Sequence, residues 1–246
     1  MSDDAAFEAR NGEKIAAMAA DAELAALARA WFDRAFEHEY SYHFRWLGLP
    51  MIQFPTDIVA LQEIVWRTRP DLIVETGVAR GGSLVFFASL LELLGKGDVV
   101  GVELDLRPEN RAAIFAHPLA KRIAVVDGSS VDPAVAARVR DIAARHERTM
   151  VVLDSNHTHE HVLAELNLYA PLVSPGSYLV VFDTVVERMP ADAFPERPWG
   201  RGNNPQTAVN AFLQGADRFV VDRELEAKLS VTSAPGGWLR CVKEAR

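Results

Sequence analysis

Short apolar runs alternate with helical stretches through the middle of the chain. Five runs are apolar throughout and do not alternate with polar residues: 72–74, 99–102, 123–126, 150–153 and 178–182. Between them lie four stretches with helical periodicity: 83–94, 109–116, 133–146 and 160–170. Strands that are buried on both faces of a parallel sheet have this uninterrupted apolar character. The pattern therefore predicts an α/β fold, with a Rossmann-like, doubly wound and mostly parallel sheet.

The C-terminal region has a different pattern. Residues 218–221 and 229–232 are typical of strands, and a Pro235-Gly236-Gly237 turn leads into the apolar segment 238–242. Strands that are joined by tight turns run antiparallel, so we predict antiparallel C-terminal strands at the end of the sheet. The interval 190–205 is a long loop rich in proline and glycine, and such loops often act as functional lids.

The N-terminal region predicts a helix followed by an ordered loop. Within 21–39, apolar residues recur at helical spacing: Leu24, Leu27, Trp31 and Ala35. The segment 40–55 is rich in aromatic residues and matches neither a helical nor a strand period. Thr56 is the predicted N-cap of a second helix over 57–67, which leads into the core domain.

Composition and charge exclude several classes of protein. The chain carries a net charge of −8 and no Lys/Arg run, which disfavours nucleic acid as a partner. Residues 1–10 are acidic and lack the apolar region of a secretory signal, and the apolar stretch 84–94 is too short and too interrupted to span a membrane. The single cysteine, Cys241, excludes an internal disulfide. We predict a cytoplasmic protein with neither a nucleic-acid nor a membrane partner.

A glycine-rich loop follows the first predicted core strand, and it suits a bound ligand. Glycines let the backbone turn sharply and approach a ligand, while the free N–H groups of the next helix face it. The loop lacks the G-x-G-x-x-G spacing and the P-loop lysine, so a pyrophosphate or triphosphate is not the first choice. The predicted cofactor-binding residues of this loop are Glu75, Gly77, Gly81, Gly82 and Ser83.

Polar residues at the next two strand ends extend the predicted cofactor site. Glu103 follows Gly82 by about the 20 residues at which an acid meets a ribose hydroxyl. Asp127 and Ser129 lie in a small polar turn that could face an adenine, and the Glu75 carboxylate could accept the ammonium group of a methionine moiety. Each feature alone is explained by an ordinary βα corner with a solvated carboxylate. Together, at the carboxyl ends of three strands, they predict S-adenosylmethionine as the cofactor.

Carboxylates also follow the fourth and fifth predicted strands. Asp154 and Asp183 would place two hard oxygen ligands close together, which suits Mg²⁺ or a related cation. Such an ion would lower the pKa of an acceptor hydroxyl. Asp154 is also expected to border the cofactor. His157 is the predicted general base, because an unperturbed imidazole is largely neutral at working pH, and His159 is the alternative base.

Other interpretations of this histidine-rich segment stay open. The histidines could be surface residues at a helix N-terminus, with Asp154 as the cap. Two histidines and one carboxylate could instead form the facial triad of a non-haem iron hydroxylase, which iron and 2-oxoglutarate dependence would reveal. That interpretation does not explain the glycine loop or Glu103. A cofactor-binding protein without catalysis is a third possibility, which tight cofactor binding without turnover would reveal.

Several motifs of the chain resemble the family named for cephalosporin hydroxylase and rhamnosyl O-methyltransferase. The resemblance extends from about residue 40 to 242 and is carried by these motifs: Trp46-Leu47-Gly48-Leu49-Pro50, Pro55-Thr56-Asp57, Glu75-Thr76-Gly77, Gly81-Gly82-Ser83 and Leu153-Asp154-Ser155-Asn156-His157. It implies a class I methyltransferase-like fold and a magnesium-dependent O-methyltransferase that uses S-adenosylmethionine. The implied acceptor is a hydroxyl of a sugar or natural product.

The resemblance also implies roles for individual site residues. Catechol O-methyltransferases have a similar metal arrangement, which carries over Asp154 and Asp183 as ligands and His157 as base. Where family members usually have an acidic pair, this chain has Phe182-Asp183. The third ligand is therefore left to Thr184, Glu187 or water.

The acceptor pocket and the domain organisation complete the sequence-based predictions. The residues predicted to shape the pocket are Tyr42, Phe44, Trp46, Trp199, Arg201, Asn203 and Asn204. Aromatic and amide groups suit a sugar ring, although a phenol would use similar groups and the aromatic side chains could instead form an oligomer interface. We expect a small-molecule hydroxyl acceptor and a homo-oligomer. We also predict an N-terminal helix and aromatic loop in 1–56 and an S-adenosylmethionine-binding methyltransferase domain in 57–246.

Overall fold

A seven-stranded mixed sheet forms the centre of the computed structural model, which describes residues 2–244. The strands within that range are β1 (Arg45–Trp46), β2 (Leu49–Pro50), β3 (Leu72–Thr76), β4 (Asp98–Glu103), β5 (Ile123–Asp127), β6 (Thr149–Leu153), β7 (Tyr178–Val181), β8 (Phe219–Val221) and β9 (Trp238–Cys241). The sheet has the order β5-β4-β3-β6-β7-β9-β8. The first five strands in this order are parallel, and β9 runs antiparallel to both β7 and β8. The predicted α/β fold class is confirmed.

Helices cover both faces of the sheet, so successive residues of a strand are buried on opposite faces. The helices within residues 2–244 are α1 (Asp3–Ala20), α2 (Ala22–Phe36), α3 (Pro55–Thr68), α4 (Gly82–Leu94), α5 (Pro108–Phe115), α6 (Pro133–Ala143), α7 (His159–Tyr169), α8 (Pro205–Gly215) and α9 (Arg223–Lys228). In β6, Met150 faces the core cluster that contains α3 and α4, while Val151 faces the cluster that contains α6 and α7. Burial on both faces explains why the strand sequences are apolar throughout.

The N-terminal region contains more helix than the sequence analysis predicted. The predicted helix over 21–39 corresponds to α2, whose first turn is capped by Asp21 through a 2.9 Å bond from the Leu24 amide. Helix α1 was not predicted, because it is polar and buries no residue completely. The aromatic segment that follows is irregular, as predicted, except for a short 3₁₀ helix, Tyr40–His43, and the small β1–β2 hairpin.

Two local predictions were wrong. Thr56 is not the N-cap of α3, because the helix begins at Pro55, and the Thr56 hydroxyl instead donates to the carbonyl oxygen of Val231 at 2.6 Å. Residues 229–232 do not form a strand. Helix α9 precedes them, and the Asp222 carboxylate caps it by accepting a 3.0 Å bond from the Leu225 amide.

The long loop over 190–205 packs against the N-terminal region. Its last residue, Pro205, begins α8, and the remainder lacks helix and strand apart from a single bridge between Gly200 and Asn203. The ring of Phe194 meets Phe36 of α2 edge to face. Across residues 2–244 no helix combines the length and apolar character that crossing a bilayer requires. The division of the chain at residue 56 stays a prediction.

Candidate active site

The parallel strands bring five acidic residues to one edge of the sheet. Glu75 and Glu103 lie at or near the carboxyl ends of β3 and β4, and Asp127 pairs with Glu103 at the end of β5. Asp154 directly follows β6, and Asp183 follows β7 after Phe182; the last residues of these two neighbouring strands pair as Leu153 and Val181. Ligands collect outside this edge in doubly wound sheets, so the topology defines where a site belongs.

Asp154, His157 and Asp183 form a cluster that could hold a cation. One potential ligand atom from each residue lies within 4.8 Å of the others, and His157 Nε2 lies 3.3 Å from Asp183 Oδ2. Burial and the charges of Asp183 and Glu75 raise the pKa of Asp154 well above its ordinary value. A divalent cation would relieve this repulsion, and the two carboxylates are oxygen ligands that suit Mg²⁺ or Mn²⁺.

The backbone at Asp183 is left-handed, with a φ of 56°. Aspartate tolerates this conformation better than most residues do. It turns the chain sharply at the end of the sheet and leads into a 3₁₀ helix, Thr184–Arg188. Strained backbone of this kind is common at functional sites, although it does not by itself define one.

Glu75 is buried beneath the glycine loop. Its carboxylate accepts a 2.7 Å hydrogen bond from the Ser83 hydroxyl. Burial raises the pKa of Glu75 to about 8, with a further contribution from the charge of Glu103, while the Ser83 bond acts in the opposite direction. A buried acid with one neutral donor lacks a countercharge, which a cationic ligand group would supply.

The other acidic residue of the loop region, Glu103, organises the loop itself. One of its carboxylate oxygens accepts hydrogen bonds from the amides of Val78 and Ala79, at 2.8 and 3.1 Å. These two amides belong to the loop itself, whereas the N–H groups that the sequence analysis assigned to a ligand are those at the start of α4, which begins at Gly82. Glu103 therefore fixes the shape of the loop in this structure.

The loop glycines are required by contacts within the protein. A Cβ at Gly77 would lie 2.1 Å from the Asp154 carbonyl oxygen, and one at Gly82 would lie 2.1 Å from the Pro50 carbonyl oxygen. At Gly81 it would meet the Ile114 side chain at 2.3 Å. Neighbouring protein therefore occupies the side where each Cβ would be, and the close approach of a ligand to these glycines stays a prediction.

A cavity of about 590 Å³ opens beside the cluster and the glycine loop. Asp154, His157 and Asp183 line it, together with Gly77, Gly82 and Ser83. Its aromatic wall comes from the N-terminal region and from the long loop: Phe32, Phe36, Tyr40, Tyr42, Phe54, Phe194 and Trp199. The ring of Trp199 meets His157 edge to face, with ring centroids 4.9 Å apart.

Some predicted site residues lie elsewhere. Thr184, predicted as a metal ligand, is buried and donates its hydroxyl to the Pro235 carbonyl at 2.8 Å, because the turn after Asp183 directs it toward the C-terminal segment. His159, the alternative base, pairs its Nδ1 with the Thr207 hydroxyl at 2.8 Å. Asp127 is exposed and forms an ion pair with Arg111. Neither Asp127 nor Ser129 belongs to the cavity wall.

The predicted acceptor residues divide between the cavity wall and the packing around it. Tyr42 and Trp199 line the cavity, whereas Trp46 packs edge to face on Phe86 and donates its indole N–H to Ser89. Three others have structural contacts instead: Phe44 packs on Tyr40, Asn203 accepts a bond from the His159 amide, and Asn204 caps α8. Arg201 donates to the Met189 carbonyl.

Two parts of the wall were missed by the sequence analysis. One is Gln53, whose amide Nε2 donates to Asp154 Oδ2 at 3.0 Å. The sequence signal that could have identified Gln53 was a polar residue in an otherwise apolar segment next to Phe54. The other part is the end of α2, where Phe32 stacks on Phe54 with ring centroids 4.8 Å apart. The helical periodicity of α2 indicated a buried face, but it did not indicate which residues that face would contact.

The arrangement of the cluster also distinguishes a two-carboxylate cation site from the facial triad of a non-haem iron hydroxylase. A facial triad needs two histidines with one carboxylate. Within residues 2–244, the group that could hold a metal contains one histidine and two carboxylates, and His161 pairs with Ser130 at 3.0 Å instead. The site therefore combines a glycine loop at the sheet edge, a buried acid without a countercharge and a cluster with two carboxylates. This combination defines a class I methyltransferase-like site with a cation position.

Comparison with known proteins agrees with this class. Residues 38–242 match the family described as rhamnosyl O-methyltransferase/CmcI. The rhamnosyl O-methyltransferase of Mycobacterium bovis (strain BCG / Pasteur 1173P2) is 33% identical over 199 residues, which cover 79% of this chain and 76% of the relative. The enzyme of the same name from Mycobacterium leprae is 30% identical over 197 residues, covering 79% and 81%. The chain belongs to the rhamnosyl O-methyltransferase/CmcI family, which confirms the predicted family and the predicted class of S-adenosylmethionine-dependent O-methyltransferases.

Solved structures support the fold. An apo structure of CmcI superimposes with a TM-score of 0.59 at 20% identity, covering 82% of this chain and 77% of that chain. A CmcI structure described with Mg and SAM gives the same TM-score and identity, covering 82% and 78%. These likenesses concern the fold of the chain.

Proposed function

We propose that this protein transfers the methyl group of S-adenosylmethionine to a hydroxyl of a sugar or natural-product acceptor, with Mg²⁺ or a related cation at Asp154 and Asp183. The observation that carries the proposal is the Asp154, His157 and Asp183 cluster, which lies in the wall of the same cavity as the glycine loop. Family membership supports methyl transfer to oxygen, and the related enzymes are named for a rhamnosyl acceptor.

The cofactor would lie along the loop that connects β3 to α4. The Glu75 carboxylate would accept the ammonium group of the methionine moiety, and this charge would supply the partner that the buried acid lacks. Glu103 holds the amides of Val78 and Ala79 and so maintains the loop in a shape that a ligand can use. Ser83 keeps the Glu75 carboxylate oriented.

The cation and His157 would each contribute to activation of the acceptor hydroxyl. A divalent cation at Asp154 and Asp183 would stabilise the negative charge that develops on the acceptor oxygen. His157 would accept the hydroxyl proton at its imidazole while Trp199 holds the ring by an edge contact. The aromatic wall would exclude water from the reacting groups and stack against the acceptor ring.

His157 lies close enough to Asp183 to be a ligand of the same cation. A metal-binding measurement separates this role from that of general base. We propose the base, because the imidazole lies in the cavity wall, where an acceptor hydroxyl would bind. His157→Ala should then keep Mn²⁺ affinity within about threefold while turnover falls. Asp154→Asn should lose both. Loss of Mn²⁺ binding in the histidine variant would make His157 a ligand.

The function is tested by following labelled methyl transfer from S-adenosylmethionine to a panel of rhamnosides, other glycosides and phenols. We expect turnover on at least one glycoside, loss of turnover in EDTA and its return with Mg²⁺ or Mn²⁺. Full activity in chelator would remove the cation from the mechanism. Tight cofactor binding with no turnover on any class of acceptor would contradict catalysis.

We also propose that the protein acts in the cytoplasm as a homo-oligomer, without nucleic acid as a partner. The net charge of −8 supports the last point. Trp66 is 50% exposed and Leu93 is 74% exposed, and a contact between copies of the chain would bury such side chains. Light scattering across a concentration series tests this, and a monomer at all concentrations would contradict it.

A further inference from the structure

Gln53 connects the wall of the cavity to the candidate cation site. It lies in the loop between β2 and α3, is only 7% exposed, and donates its amide Nε2 to Asp154 Oδ2 at 3.0 Å. Among residues 2–244 no other side chain donates a hydrogen bond to this carboxylate. A buried glutamine whose amide points at a proposed metal ligand therefore requires an explanation beyond packing.

We propose that Gln53 is a positioning residue that fixes the Asp154 carboxylate for the cation, an inference that rests on the proposed function. A carboxylate attached by a single bond can rotate, and the amide bond to one oxygen restricts that rotation. The lone pairs that Gln53 does not use remain available to a cation. Partners of this kind orient metal ligands, and their loss typically lowers metal affinity about 10- to 100-fold.

The chemistry of the amide suits this position. Asp154 lies near two other acids, Asp183 and Glu75, and a donor to its carboxylate must not displace the cation. A lysine or arginine would form an ion pair with Asp154 and neutralise it. The amide of Gln53 donates a hydrogen bond without adding a charge, so the full negative charge of Asp154 stays available.

The backbone that precedes Gln53 is itself held by two contacts. The Met51 amide donates to the Phe44 carbonyl at 3.1 Å, and the Met51 side chain is buried. Pro50 lies directly against Gly82, the first residue of α4, where no side chain could be accommodated. The position of Gln53 is therefore linked to the end of the glycine loop, where α4 begins, and the same segment supports both halves of the site.

The test compares Gln53→Met and Gln53→Leu, which remove the donor and keep most of the volume, with the wild type. The matched control is Gln206→Met, because the Gln206 amide also donates a 3.0 Å bond, to Asn210 on α8. Mn²⁺ affinity is measured by calorimetry or by electron paramagnetic resonance, and S-adenosylmethionine affinity and circular dichroism serve as readouts of the fold.

We expect both Gln53 variants to bind Mn²⁺ about 10- to 100-fold more weakly and to bind the cofactor within about twofold of wild type. Saturating Mn²⁺ should restore most of the turnover. Gln206→Met should match the wild type throughout. Wild-type Mn²⁺ affinity in both Gln53 variants would overturn the inference, and a raised acceptor KM with unchanged Mn²⁺ affinity would make Gln53 an acceptor contact. A wild-type protein that binds no Mn²⁺ would instead contradict the proposed function.

Discussion

The buried carboxyl of Glu75 should make the stability of the unliganded protein depend on pH. Its pKa rises from 4.5 to about 8 in the folded chain. Below pH 4.5 the group is protonated in both the folded and the unfolded state. Between pH 4.5 and 8 the folded protein retains a proton that the unfolded chain has lost, so the free energy of unfolding falls as pH rises.

The size of this effect follows from the shift. Each pKa unit corresponds to about 1.36 kcal/mol, so the shift of Glu75 amounts to about 5 kcal/mol above pH 8 and about 3 kcal/mol at pH 7. Glu75→Gln removes the titration and keeps an oxygen that can accept the Ser83 hydroxyl bond. We therefore expect the variant to be about as stable as the wild type at pH 4.5 and increasingly more stable toward pH 9.

Urea unfolding followed by circular dichroism, without cation or cofactor, measures this difference from pH 4.5 to 9. Asp57 is present in both proteins and its pKa shift does not involve Glu75, so its titration largely cancels in the comparison. Removing the charge of Glu75 also lowers the pKa of Asp154, which adds to the difference in the same direction. Glu8→Gln on the exposed surface of α1 is the control and should show no trend. A difference between Glu75→Gln and wild type that stays constant across this pH range would refute the reasoning.

Further expected outcomes follow from the contacts at the site. His157→Ala should lose about 10² to 10⁴-fold in turnover with near-normal cofactor affinity, whereas His159→Ala, which breaks a bond to Thr207, should lose less than tenfold. Gly82→Ala should destabilise the protein by about 1–3 kcal/mol in urea, because its Cβ meets the Pro50 backbone, while Gly12→Ala on open helix surface should not. Thr184→Val should leave Mn²⁺ affinity within about twofold of wild type, because the Thr184 hydroxyl binds Pro235, and a tenfold loss would return Thr184 to the ligand set.

The sheet could be predicted from sequence because its strands obey one strong constraint. A strand such as β7, buried along its whole length, must be apolar on both faces, and this pattern is visible without any partner. The positions of Asp154 and Asp183 followed from the topology, since residues after parallel neighbouring strands meet at one edge. Helix α1 escaped prediction because no residue of it is fully buried, so it leaves only a weak periodic signal.

Contacts that depend on the path of a loop were beyond prediction. The bond from Gln53 to Asp154 joins residues that are far apart in sequence, and it exists because Pro50 crosses over Gly82. The orientation of Thr184 is likewise set by the left-handed turn at Asp183 and by the C-terminal segment beside it. Neither interaction leaves a pattern in the local sequence.

The insertion of β9 beside β7 has a consequence for the synthesis of this protein. The Val181 amide donates to the Gly237 carbonyl and the Val185 amide donates to the Ser233 carbonyl, so the turn that carries Asp183 is held from both sides by residues translated long after it. While the ribosome is still adding that last segment, the parallel strands can already pair. The acidic turn cannot take its final shape until the last segment has emerged. We therefore expect a chain that ends before Ser233 to lack the shape of the acidic turn and to be inert instead of partially active.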